Sequence, residues 1–115
     1  MSLDQLDPVF ANTKRLAALG MVAKAQEVEF SFVRDHLELS DSDLSKQMKA
    51  LVDAGYVTSK KRGAGGDRKT WFRATRAGER ALTVHMDALN RLVLDSLPPP
   101  RIADVERTTK VAAKE

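Results

Sequence analysis

The sequence predicts a mainly α fold with a small β-hairpin, an α+β domain over residues 1–97 followed by a proline-led flexible tail over 98–115. Three observations predict it. Apolar residues recur every three or four positions in several separate stretches, as amphipathic helices require. Two β-prone runs, Tyr56-Val57-Thr58-Ser59 and Thr70-Trp71-Phe72-Arg73, flank a glycine-rich basic segment from Lys60 to Lys69, which is the pattern of a hairpin. The last helical pattern is long, about six turns, and stops at Pro98-Pro99-Pro100, where proline ends a helix and fixes extended backbone.

In order, Asp7-Pro8 reads as a helix start, with an acceptor side chain at the cap and proline first inside it. Asn12 is a second cap, and Leu16, Leu19, Val22 and Ala23 predict a helix from about Thr13 to Lys24, with Gly20 as a weak point. Glu27-Val28-Glu29-Phe30 alternates like a very short strand. Ser31 is placed to cap a helix over Phe32 to Leu37, with Phe32, Val33 and Leu37 on one side. Ser40 followed by Asp43 resembles a capping box and starts the next helix at Asp41. Its apolar stripe is Leu44, Met48, Leu51 and Val52, and Ala54-Gly55 ends it through a left-handed glycine. Within the hairpin Trp71 is expected as a core anchor under the loop, since it sits in a strand. Thr75 caps the final helix, which carries one stripe of Leu82, Met86, Leu89, Val93 and Leu97 and a second of Ala81, Ala88 and Leu92.

Composition bounds the chemistry. With 115 residues and no Cys, one core suffices, and thiolate metal sites and thiol redox sensing are excluded. The opening MSLDQLDPVF lacks a basic start followed by an apolar run, and no apolar stretch reaches the roughly 18 residues that span a bilayer, so a cytoplasmic protein without membrane contact is expected. His36 and His85 fall in different helices with no accompanying ligand pattern; both read as surface or packing residues. No catalytic residue, metal or cofactor is assigned, and no polar cluster asks for a small-molecule effector.

Charge is localised. Net charge is +3, yet the segment from Lys60 to Arg80 holds eight cations against Asp67 and Glu79, giving +6 there and −3 elsewhere. A polyanion contact and a solvated charged loop both fit this distribution. Projecting the helix after Ser40 at about 100° per residue places Ser42, Ser45, Lys46 and Lys49 on the side opposite its apolar stripe. That face is short, hydroxylic and cationic, with dimensions that suit a DNA major groove. Lys60, Lys61, Arg62, Arg68 and Lys69 could straddle the neighbouring backbone or enter the minor groove. Asp41 and Asp43 suit the helix dipole but would repel phosphate if they pointed at it.

The succession of helix, short strand, helix, helix, basic hairpin and long helix is the winged helix-turn-helix order. The chain resembles bacterial winged-helix transcriptional regulators of the MarR and ArsR type over about Leu6 to Leu94. The resemblance rests on Asp7-Pro8-Val9, Phe30-Ser31-Phe32-Val33-Arg34, Leu44-Ser45-Lys46-Gln47-Met48-Lys49-Ala50-Leu51, Asp53-Ala54-Gly55-Tyr56-Val57, and Thr70-Trp71-Phe72 followed by Thr75-Arg76-Ala77-Gly78. It implies a sequence-specific regulator bound to double-stranded DNA, with the recognition helix at about 41–54 and the wing at about 60–69. A homodimer is expected through Leu82, Met86, Leu89, Leu92 and Val93, because so long a helix has more apolar surface than one small domain covers. A winged-helix module that binds protein instead of DNA is the competing reading.

Overall fold

Asp7 opens the folded chain by capping it. The Val9 N–H donates to its carboxylate at 2.9 Å, and Pro8, with no N–H to satisfy, stands first in the 3₁₀ turn Pro8–Ala11. The computed structural model describes residues 3–96; the expected tail over 98–115 and Leu97 lie outside the described residues. Asn12 then accepts from the Lys14 and Arg15 N–H groups and starts α1, Thr13–Ala25, which buries Ala18, Leu19 and Val22 completely. Gly20 does not interrupt this helix.

A three-residue strand, β1 (Glu27–Glu29), follows as expected and runs straight into α2, Phe30–Leu37. Here the structure corrects the sequence reading. The cap is Glu29, not Ser31: its carboxylate accepts from the Ser31 N–H at 2.6 Å and the Phe32 N–H at 3.2 Å, two otherwise orphaned donors. The Ser31 hydroxyl donates to the same carboxylate oxygen. Because the helix begins two residues earlier than expected, its inner line is Phe30, Val33 and Leu37, at spacings of three and four. Phe32 is displaced from that line, 60% exposed, and lies parallel to the His36 ring.

Ser40 caps α3 (Asp41–Asp53) by accepting from the Asp43 N–H at 3.1 Å, as expected. The reciprocal half of the capping box is missing, because the Asp43 carboxylate is engaged elsewhere. Leu44, Met48 and Leu51 are buried, but Val52 is not; Gln47 takes its place on the inner side. A buried amide needs partners, and Gln47 has them: the Arg15 Nε donates to its oxygen at 3.0 Å and its own NH₂ donates to Asp43 at 2.9 Å.

Beyond Gly55, whose φ of +80° ends the helix, the hairpin is built from β2 (Val57–Arg62) and β3 (Lys69–Ala74). Both strands are longer than expected, pairing antiparallel from Val57↔Ala74 out to Arg62↔Lys69. β1 joins the other edge of β3, which makes a three-stranded sheet of order β1-β3-β2. Pleating gives it two faces. Val28, Val57 and Phe72 point inward to complete a core shared with Phe10, α1, α2 and α3.

The final helix, α4 (Arg76–Ser96), starts against the α3–β2 turn. The Thr75 hydroxyl accepts from the Gly78 N–H at 3.0 Å and donates to the Gly55 carbonyl at 2.7 Å, while the Thr75 N–H donates to the Tyr56 carbonyl at 3.0 Å. A Cβ at Gly78 would stand 2.2 Å from that Tyr56 oxygen. The buried line of α4 is Gly78, His85 and Ala88, with Ala81 and Leu82 packed partly against the core. His85 confirms its reading as a packing residue. Its Nδ1 accepts from the Asp7 N–H at 3.0 Å and its ring meets Phe10 edge-on at 5.0 Å. The Tyr56 hydroxyl donates to the other Asp7 carboxylate oxygen at 2.5 Å, which pushes the Tyr56 pKa above its ordinary value.

Candidate nucleic-acid interface

α3 turns Ser42, Ser45, Lys46 and Lys49 outward together, all exposed. The four lie on one side because Leu44, Gln47, Met48 and Leu51 hold the other side in the body. Lys49 carries a surface ion pair to Asp53 at 2.9 Å, one turn on. A pair this exposed is worth about 0.3–0.5 kcal/mol, so a competing anion can displace Asp53.

The two acids of the first turn are held by cations. Asp41 accepts from Arg34 of α2 at 2.8 Å, and Asp43 from Lys14 of α1 at 2.5 Å. Lys14 first, and then the Gln47 amide, hold the Asp43 carboxyl below its ordinary 3.8. Sequence reasoning missed Lys14, Arg34 and Gln47: the two cations reach these acids from other helices, and Gln47, one turn after Asp43, is turned inward by its bond to Arg15. Lys14 and Arg34 supply positive charge that offsets the two acids, which would otherwise oppose a phosphate backbone.

The hairpin distributes its cations differently from the sequence picture of a single basic loop. Only Gly63 to Arg68 form the tip, with a short 3₁₀ turn at Gly65–Asp67; Lys60, Lys61 and Arg62 lie in β2 and Lys69 in β3. Alternation in the ladder therefore puts Lys61 on the inner face, beside Ser59 and Thr70, and Lys60, Arg62, Lys69 and Arg73 on the outer face. Between α3 and the inner face lies an open cleft of about 290 Å³. Phe30, Met48, Val52 and Phe72 give it an apolar lining, and Ser45, Lys49, Ser59 and Thr70 line it with polar groups. Exposure of Val52, unexpected from the sequence, is what lets it line this cleft.

On the outer face Arg62 is engaged within the molecule. Its guanidinium pairs with Glu27 of β1 and lies 5.5 Å from the centre of the Trp71 ring. Trp71 is thus half-buried on the outer side of the sheet, not a core anchor; Phe72, one residue later, occupies the core. The strand register decides this. Among the residues expected to join two copies, Leu82 packs partly on the protein's own core, Leu89 and Leu92 are half-buried, and Met86 and Val93 are exposed along with Val84 and Leu94.

Among the described residues there is no cluster of three or more His, Cys, Asp or Glu able to hold a metal, and no helix is long and apolar enough to cross a membrane. Residues 14–93 match the family model of the winged helix DNA-binding domain. The uncharacterized protein MJ0432 of Methanocaldococcus jannaschii is 29% identical over 70 residues, spanning 61% of this chain and 76% of its own length. A transcriptional regulator homologue from Pyrococcus horikoshii superimposes with a TM-score of 0.72 at 20% identity, over 77% of this chain and 89% of that one. A Porphyromonas gingivalis structure described as a MarR-family transcriptional regulator gives 0.61 at 17% identity, over 77% of this chain and 85% of that one. At these identities the structural likeness speaks for the fold.

Proposed function

The chain belongs to the winged helix DNA-binding domain family, and from that premise we propose that it is a homodimeric, sequence-specific DNA-binding transcriptional regulator. The observation that carries the reading is the outer face of α3. Four short or cationic side chains stand free of the core beside a basic hairpin, and the two acids of the helix's first turn are already paired with Lys14 and Arg34. Each protomer inserts Ser42, Ser45, Lys46 and Lys49 into a major groove, where short hydroxyls let the helix approach and the lysines reach base edges or phosphate. Lys60, Lys61, Arg62, Arg68 and Lys69 lie along the flanking backbone, with the glycines of the tip conforming to the adjacent minor groove.

The exposed Met86 and Val93 of α4, with Leu89 and Leu92 at their border, pair with the same helix of a second copy and set the distance between reading helices. A two-fold dimer then expects a pseudo-palindromic site with half-sites roughly 10 bp, or ~34–36 Å, apart. The test is selection from random duplexes with purified protein. A recovered palindrome supports binding, symmetry and spacing together, whereas recovery of no preferred sequence turns the reading toward a protein-binding module.

A further inference from the structure

The outer face of the sheet holds a cation that α3 and the wing tip do not account for. Arg62 stands at the far end of the β2–β3 ladder, opposite Lys69. Its guanidinium is drawn back over the Trp71 ring and paired with Glu27 on the opposite edge strand. These groups line a hollow of about 190 Å³ together with Lys60 and Arg73, and Glu27 is the one carboxylate among the residues that line it. The hollow thus sets a single acid among three cations, at the surface where the proposed function puts phosphate.

We infer that Glu27 is an intramolecular competitor for phosphate at Arg62: a positioning residue that holds the arginine on Trp71 in the free protein and yields it to the DNA backbone on binding. The inference rests on the DNA-binding reading. A guanidinium matches phosphate and carboxylate equally well in geometry, so the two anions compete for the same donors. The pair is partly exposed, with 47% and 30% of the two side chains accessible, so exchange is cheap enough to occur when DNA arrives. Affinity is lowered by the work of breaking the pair, and the protein is kept from holding nonspecific DNA with its full charge. Trp71 is the sole tryptophan, so its emission reports the position of Arg62.

The experiment uses the full chain and a labelled duplex from the selection, with binding followed by anisotropy across a salt series and Trp71 emission recorded in parallel. Glu27→Gln keeps size and strand geometry and releases Arg62. It is expected to bind about two- to fivefold more tightly, with the slope of log affinity against log salt close to that of the parent, because Arg62 reaches phosphate in both. Arg62→Ala should flatten that slope by about 0.9. The free-state emission of Glu27→Gln should move toward that of Arg62→Ala. In the Arg62→Ala background the Glu27→Gln gain should vanish. Asp67→Asn, the same charge change at the tip, should not reproduce it. A gain that persists without Arg62, or that Asp67→Asn matches, overturns the inference in favour of general charge effects, as does unchanged affinity in Glu27→Gln. If no variant binds any duplex, the DNA-binding reading itself fails and takes the inference with it.

Discussion

Two glycines inside helices show how the same residue type carries opposite consequences. Around Gly20 a Cβ would meet nothing within 4 Å, so Gly20→Ala should stabilise the protein by about 0.5–1 kcal/mol through backbone entropy. At Gly78 a Cβ would drive into the Tyr56 carbonyl, so Gly78→Ala should destabilise by about 1–3 kcal/mol. Urea unfolding of both variants, with an unchanged slope as the control for two-state behaviour, checks the pair. The spacing of Thr75 and Gly78 was legible in the sequence as a motif, but its cause, a carbonyl from another element, was not. Glu29 is a similar case. In the sequence it reads as one member of the short alternating strand Glu27 to Phe30, yet here it caps α2, and the Ser31 hydroxyl first, then the two N–H groups, lower its pKa below the ordinary 4.5. A depressed acid contributes stability that is complete above its unfolded value and is lost as the pH falls through the native one. Stability should therefore decline as the pH falls below about 4.5, and Glu29→Gln should flatten that decline; a slope unaltered by the substitution would remove Glu29 from the cap.

At the scale of elements, α3 and the hairpin were legible in different degrees. α3 was read from local chemistry: Ser40 as cap, Gly55 as stop, and a polar face opposite an apolar one. What was not legible was that Gln47 would replace Val52 on the inner side, because Gln47 owes its place to Arg15, far away in α1. In the hairpin the basic residues were found but not their two faces, since side-chain direction follows from the ladder register that only pairing with β1 and β3 fixes. The two elements should fail in different ways. Lys46→Ala, on α3, should change which sequences are preferred in a repeated selection if this helix reads bases as proposed; equal weakening on all sequences would assign Lys46 to phosphate. Neutralising Lys60 and Lys61 together should instead leave preference intact and flatten the salt dependence by about 0.9 for each phosphate no longer neutralised. Because the strand puts these two on opposite faces, single substitutions tell which face the backbone lies against.

For the molecule as a whole, α4 was predicted in extent, and its burial is offset toward one of its two expected stripes. The apolar residues suggested one stripe of Leu82, Met86, Leu89, Val93 and Leu97 and a second of Ala81, Ala88 and Leu92; the second turns Ala88 and Ala81 toward the body, in a buried line that runs through Gly78, His85 and Ala88. Two of those three are not apolar, so a search for hydrophobic periodicity passes over them. The offset leaves Met86, Val93 and Leu94 outside the body, and their exposure is the reason to expect a second copy there. Light scattering should give twice the chain mass at micromolar concentration, and Val93→Asp should return it to the monomer; a monomeric parent protein would remove α4 from this role. The joint at the start of α4 has a mechanical consequence. Thr75 is fastened to both Gly55 and Tyr56, and Gly78 is seated against the Tyr56 carbonyl with no room for a side chain. Such a joint cannot swivel without breaking those bonds, so the arm it supports behaves as a stiff beam and not as a tether. A stiff beam makes a strict ruler: inserting one base pair between half-sites turns one of them by about 35° about the duplex axis, and operators lengthened in this way should lose binding instead of being accommodated.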